Sequence, residues 1–215
     1  LIGFGGAPFT LTSYAIEGGS SKSYIYVKKL MSSHPKEFSE LMDKMTDSII
    51  DYLNYQILSG VDAIQVFDSW VGCLGVSDYE KHVYPHTKRL FESLIKKVPI
   101  IHFGTGNPAL LRLMAAAGGD VMALDWRAPL KESWNDLGCK SIQGNLDPVA
   151  LFGSEKSVIK AAKEILDDVA GRPGHIFNLG HGILPQTPLE NVKLLVRVVK
   201  DYSSEIKSRY QSFGY

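Results

Sequence analysis

The chain has 215 residues, with Lys+Arg 23 balancing Asp+Glu 23, and is 45% hydrophobic and 21% charged. This composition excludes disordered and collagen-like chains, and a formal charge of zero argues against a nucleic-acid or other polyanion partner, which calls for a concentrated basic surface. No apolar run reaches the ~20 residues that cross a bilayer, and a domain of this length buries roughly 70–75% of its unfolded surface, so one domain over 1–215 is expected, with no membrane span and no need of a disulfide or metal.

Short apolar runs ending in small or polar residues recur along the chain. Leu1 to Phe4 leads into Gly5-Gly6, and because the sequence opens directly on a strand, further N-terminal units are expected ahead of it. In Glu37 to Leu58 the residues Phe38, Leu41, Met42, Met45, Ile49, Leu53 and Ile57 fall at steps of three and four between Pro35 and Gly60, the pattern of an amphipathic helix. Ala63 to Phe67 is a strand reaching Asp68-Ser69, and Ser77-Asp78-Tyr79-Glu80 has the capping-box pattern of a helix start. Ile100 to Phe103 runs into Gly104-Thr105-Gly106, and Val121 to Leu124 into Asp125-Trp126-Arg127. Ser141-Ile142-Gln143 runs into Gly144-Asn145. Asn107-Pro108 and Asp147-Pro148 supply caps with proline in the first turn, and Ser154 opens a helix with the stripe Val158, Ile159, Ala162, Ile165, Leu166 and Val169. His175 to Leu179 ends at Gly180-His181-Gly182, and Thr187-Pro188-Leu189-Glu190 repeats the capping-box pattern. The polar tail after Tyr202 is expected to fray.

Unalternating runs suit strands covered on both faces, and repeated strand–helix alternation implies parallel strands joined by right-handed crossovers. That leaves an open doubly wound sheet or a (β/α)8 TIM barrel. An open sheet gathers its functional loops at one switch point, whereas here almost every strand ends in a chemically capable loop, as at the C-terminal face of a barrel. The expectation is therefore an α/β barrel, of which the six strands make about six C-terminal βα units. Cys73 and Cys139 lie far apart without ligand spacing, so neither reads as catalytic or metal-binding, and both suit a reduced compartment.

Several strand ends carry groups capable of chemistry. Gly3 to Pro8 lacks the phosphate-loop patterns, and chain reversal accounts for its glycines. Tyr14 could donate a hydrogen bond to a carboxylate or pack as a half-buried core tyrosine. Asp68 and Ser69 should face the mouth, as ligand-contacting groups or as loop caps, with Trp70 as a wall. No nucleophile elbow or triad order accompanies Ser69, which makes it a hydrogen-bond donor and not a nucleophile. His181, between two glycines at a strand end, has an accessible ring and reads as functional, the alternative being a histidine that simply hydrogen-bonds a neighbouring carbonyl. His102, inside an apolar strand, reads as a core histidine. Asp125 and Arg127 could pair with each other, or Arg127 could clamp a substrate carboxylate.

Several long motifs appear in order: Gly3-Phe4-Gly5-Gly6-Ala7-Pro8-Phe9-Thr10-Leu11 with Ser13-Tyr14 and Ile16-Glu17-Gly18-Gly19; Gln65-Val66-Phe67-Asp68-Ser69-Trp70-Val71-Gly72; Leu124-Asp125-Trp126; Gln143-Gly144-Asn145-Leu146-Asp147-Pro148; and Phe177-Asn178-Leu179-Gly180-His181-Gly182-Ile183. From Leu1 to about Tyr202 the chain resembles the uroporphyrinogen decarboxylases. The resemblance implies a (β/α)8 barrel carboxy-lyase that removes the four acetate carboxyls of uroporphyrinogen III to give coproporphyrinogen III in porphyrin (haem or chlorophyll) biosynthesis, with neither metal nor organic cofactor. It implies substrate contacts at Phe4, Tyr14, Ser69 and His181, with Tyr14 among the catalytic groups. The family's essential aspartate and its carboxylate-binding arginines belong to N-terminal motifs that these 215 residues do not contain, so this chain alone is expected to be an incomplete catalyst. A cytoplasmic homodimer is also implied, or a plastid form with a transit peptide. Two alternatives are a zinc-dependent methyltransferase of the same superfamily, for which His102-Phe103-Gly104 lacks the required cysteine, and a non-catalytic tetrapyrrole-binding barrel.

Overall fold

A computed structural model describes residues 1–19 and 21–212. Six strands and nine α-helices alternate among the described residues: β1 (Ile2–Gly6), α1 (Pro8–Glu17), α2 (Ile25–Ser33), α3 (Pro35–Leu58), β2 (Ala63–Asp68), α4 (Val76–His82), α5 (Tyr84–Ser93), β3 (Ile100–Gly104), α6 (Leu111–Ala117), β4 (Val121–Ala123), α7 (Leu130–Leu137), β5 (Ser141–Gln143), α8 (Glu155–Val169), β6 (His175–Ile176) and α9 (Leu189–Ser212). The strand order is β1-β2-β3-β4-β5-β6, and β1–β2, β2–β3 and β5–β6 pair in parallel. Strands taken in sequence, with a helical crossover after each, leave no point at which the order reverses. This removes the doubly wound alternative and leaves the TIM-barrel-like arrangement that the loop chemistry favoured.

The chain divides into two compact units, Leu1–Met122 and Ala123–Tyr215. In the first, one face of the sheet packs on helices: Ile64 and Val66 of β2 and Ile100 of β3 meet Ile49, Leu53 and Ile57 of α3 and Leu90 and Phe91 of α5. Gly3 and Gly5 lie on this same side of β1. A Cβ on Gly5 would stand 3.1 Å from Leu53 Cδ2, and one on Gly3 would overlap Gln56 Oε1, so α3 side chains pack where a Cβ would stand and would have to shift to admit one. Gln56 then reaches Phe4 as a backbone peptide would: the Phe4 N–H donates to Gln56 Oε1 at 2.9 Å, and Gln56 Nε2 donates to the Phe4 carbonyl at 3.0 Å. The sequence assigned Gly5-Gly6 to chain reversal, but both belong to the strand. What Gly3 and Gly5 supply is helix clearance.

In the second unit Leu146, Leu151, Val158, Ala162 and Leu195 form the core beneath α8 and α9. Ser154 caps α8 through the Ser157 N–H, as its position foretold. Asn107 and Asp147 also cap, but each starts a short 3-10 turn, Pro108–Leu110 and Pro148–Phe152. The two capping-box patterns do mark helix starts, α4 at Val76 and α9 at Leu189, but neither hydroxyl takes the N-cap role. Ser77 lies inside the first turn of α4, whose N-cap is the extended Gly75, and the Thr187 hydroxyl accepts from the Leu184 N–H in the preceding turn. Nor do the described residues after Tyr202 unravel, while 213–215 lie outside the described residues. Helix α9 runs to Ser212, with Tyr202 donating to Asp167 Oδ1 at 2.8 Å and Ile206 buried.

Candidate functional site

The face of the first unit's sheet turned away from α3 presents a row of aromatic rings. Side chains alternate along a strand, so Phe4 on β1, Phe67 on β2 and Phe103 on β3 share that face. Phe67 and Phe103 are register partners. Their rings meet edge-on with centroids 5.8 Å apart, and Phe4 meets Phe67 edge-on at 6.2 Å. Exposure falls across the row, from 60% at Phe4 to 5% at Phe103. The accessible end is an apolar, aromatic surface.

Helix α1 brings Tyr14 to the carboxyl end of β2. Pro8 occupies its first turn, the Ala7 N–H donates to the Phe67 carbonyl at 2.8 Å, and left-handed Gly18 closes the helix on the Tyr14 carbonyl. The Tyr14 ring, 41% exposed, stands edge-on to Trp70 at 5.7 Å, and Trp70 in turn touches Tyr24 at 5.9 Å. Half-buried Ser69 sits between Asp68 and Trp70. Phe4 thus touches Phe67 of β2 and Tyr14 touches Trp70 just beyond β2, in the segment that also carries Ser69.

Asp68 does not face the mouth as expected. The last residue of β2, it points to the helix side, is fully buried, and accepts the Thr10 hydroxyl at 2.9 Å. Burial pushes its carboxyl up to about 7, against the lowering effect of Thr10. Tyr24, raised to about 12, and Cys73, raised to about 11, are likewise shifted chiefly by burial, so both are protonated at neutral pH and neither is an activated nucleophile. His102 is the buried core histidine the sequence suggested. Its Nδ1 lies 3.2 Å from the carbonyls of both Met114 and Gly118, and burial lowers its pKa to about 4. No group of three or more His, Cys, Asp or Glu able to hold a metal ion occurs among the described residues.

His181 lies in the second unit, where the loops after β4, β5 and β6 pack on one another. Asn145 donates to the carbonyls of Asp125 and Ala128 at 2.8 and 2.7 Å, latching the turn after β4. Arg127 takes the ion-pair alternative: its Nη1 is 2.8 Å from Asp125 Oδ2, and its guanidinium stacks 4.0 Å from the Trp126 ring. Gly180 donates to the Leu146 carbonyl at 2.7 Å and lies so close to this turn that a Cβ would stand 2.5 Å from the Trp126 nitrogen. The exposed His181 ring accepts the Gly182 N–H at Nδ1, 2.8 Å away, which in the neutral ring puts the proton on Nε2. That tautomer makes Nε2 a donor.

Sequence reading missed the aromatic row and the Thr10–Asp68 bond. Phe67 and Phe103 each precede a named strand-end motif, but only the register shows that they share a face with Phe4. Thr10 carries no signal of its own.

Sequential parallel strands with polar and aromatic groups on their carboxyl-end loops define a TIM-barrel-like α/β protein. Comparison with known proteins agrees. A methyltransferase from Methanosarcina mazei superposes with a TM-score of 0.80 at 22% identity, covering 94% of this chain and 58% of that one. The uroporphyrinogen decarboxylase (URO-D) family model matches residues 1–202. The uroporphyrinogen decarboxylase of Carboxydothermus hydrogenoformans is 53% identical over 95% of this chain and 59% of its own length, and that of Koribacter versatilis is 51% identical over 96% and 60%. The chain belongs to the uroporphyrinogen decarboxylase family, and it spans about three fifths of the length of the curated relatives it matches.

Proposed function

We propose that the protein containing this chain decarboxylates uroporphyrinogen III, converting its four acetate side chains to methyl groups and releasing coproporphyrinogen III and carbon dioxide. The observation that carries this reading is the 53% identity to a uroporphyrinogen decarboxylase over 95% of the chain.

The chemistry suits side chains that position and polarise. Protonation of a pyrrole carbon creates a cationic ring able to take up the electron pair released as the acetate carboxylate departs. The substrate is its own electron sink, and the protein has to orient the acetate and stabilise the cation. In this reading Phe4 lines the macrocycle's face, and Tyr14 and Ser69 donate hydrogen bonds to the acetate that reacts. Tyr14 is thereby a catalytic residue. His181 Nε2 donates to another substrate carboxylate. The same family reading includes a homodimer and a cytoplasmic location, both open to direct measurement by sedimentation and cell fractionation. No described helix is long and apolar enough to cross a membrane.

Anaerobic incubation of the full-length protein with uroporphyrinogen III is the test. Stepwise appearance of products with seven, six, five and four carboxyls is the expected result, and unchanged substrate overturns the assignment.

A further inference from the structure

A fully buried carboxyl with an unsatisfied oxygen is costly, so its presence beside the candidate site calls for a reason. Asp68 is that group. Its Oδ1 accepts from Thr10 Oγ1, while Oδ2 has no hydrogen-bond partner among the described residues. The same Thr10 oxygen also receives the Trp70 N–H at 3.4 Å. Thr10 is thus clasped by two groups of the β2 end, the side chain of Asp68 and the backbone of Trp70.

The rest of the circuit follows from helix and loop spacing. Tyr14 is four residues beyond Thr10, so both lie on one face of α1. Trp70 is two residues beyond Asp68, and its ring receives the edge-on Tyr14 ring. The loop from Asp68 through Thr10, along one turn of α1 to Tyr14, across to Trp70 and back to Asp68 is closed. Ser69 lies inside it, between the two β2-end residues. If Thr10 lets go, α1 can slide or rotate against the Ser69-Trp70 segment, and the phenol loses its fixed relation to the serine.

We propose that Asp68, acting through the Thr10 hydroxyl, is the positioning residue that holds Tyr14 in register with Ser69. The proposal deepens the decarboxylase reading and rests on it for its kinetic consequence. Asp68 touches no substrate in this arrangement. Its contribution is orientation, and misplacement of a catalytic group by about 1 Å can cost roughly 10²-fold in rate.

The test uses four variants of the full-length protein: Asp68→Ala and Thr10→Val, which break the link, and Asp68→Asn and Thr10→Ser, which keep an acceptor and a hydroxyl. With uroporphyrinogen III, the first two are expected to lose about 10²-fold in kcat with KM changed little, and the second two to recover most of it. Near-UV circular dichroism supplies a readout independent of turnover, because the Tyr14–Trp70 pair contributes an aromatic signal that the breaking variants should alter and the conservative ones preserve. Folded Asp68→Ala and Thr10→Val proteins with wild-type kcat and wild-type aromatic signal overturn the proposal. So does a fall in Asp68→Asn equal to that in Asp68→Ala with Thr10→Val unaffected, since the carboxyl would then act without Thr10. If the wild-type protein fails to decarboxylate the substrate, the functional reading falls, while the circular dichroism series still decides whether Asp68 and Thr10 hold the ring pair.

Discussion

At the scale of single residues, the clearest prediction concerns Tyr14. Its ring packs on Trp70 and is 41% exposed, so Tyr14→Phe removes only a solvent-reaching hydroxyl and leaves the ring contact intact. Stability should change by no more than about 0.5 kcal/mol. Loss of a hydrogen bond to a charged group is worth about 1.5–3 kcal/mol, so decarboxylation by the full-length variant should slow by roughly ten- to a hundredfold. Steady-state kinetics beside a urea melt separate the two effects, and an unchanged rate removes Tyr14 from the reaction. Residue type and placement made Tyr14, Ser69 and His181 legible as candidates, whereas Phe4 came from the family resemblance alone. What sequence could not supply was direction. Asp68 and Ser69 are adjacent and look equivalent, yet strand alternation sends the Asp68 carboxyl beneath α1. Arg127 looked equally suited to a substrate or to Asp125, and only the 2.8 Å pair decides.

At the scale of elements, glycines in one loop prove unequal. Gly180 and Gly182 flank His181 symmetrically in sequence, but a Cβ at Gly180 would stand 2.5 Å from the Trp126 backbone nitrogen, whereas one at Gly182 would meet nothing within 4 Å. Backbone cannot swing aside as a side-chain tip can. Gly180→Ala is expected to cost about 1–3 kcal/mol, and Gly182→Ala no more than about 0.5 kcal/mol; a lower urea midpoint for the first variant alone is the result to look for, and equal midpoints would mean that the loop does not pack as described. The strands were readable as short unalternating apolar runs covered on both faces, and the long helices because burial of one face imposes a period of 3.6 on apolar residues. Helix starts were less so. A Ser-x-x-Glu pattern fixes no boundary when, as at Gly75, the preceding chain is already extended and the helix begins ahead of the serine. The sixth strand was read as His175 to Leu179, but two residues form the ladder and the remainder is a single bridge from Leu179 to Leu146.

For the molecule as a whole, opposing proton linkages should shape stability against pH. Burial holds His102 at about 4, below its ordinary 6.5, so between those values the unfolded chain binds more protons and stability rises with pH. His86 and His175 are also lowered, chiefly by burial, and act in the same sense. Asp68 works the other way. Its carboxyl is raised from 3.8 to about 7, so the folded chain binds the extra proton, and its contribution is lost as pH rises across that window. Replacing Asp68 by Asn should therefore benefit the protein progressively more from pH 4 to pH 7.5. Chemical denaturation of both proteins over that range measures the difference, and a constant gap would show that Asp68 titrates as an ordinary carboxylate. The fold class was legible at this scale because repeated strand–helix alternation admits few topologies. The strand order, which excludes the alternative, is a long-range property that no local window contains.

That order has a consequence for biogenesis. Since each strand bonds to the one translated just before it, a ribosome can extend the sheet one βα unit at a time, every newcomer finding its partner already emerged. Within this order the open edge of each strand from β1 to β5 waits only for the next strand, so the interval in which that edge stands open to aggregation is set by the synthesis of a single crossover.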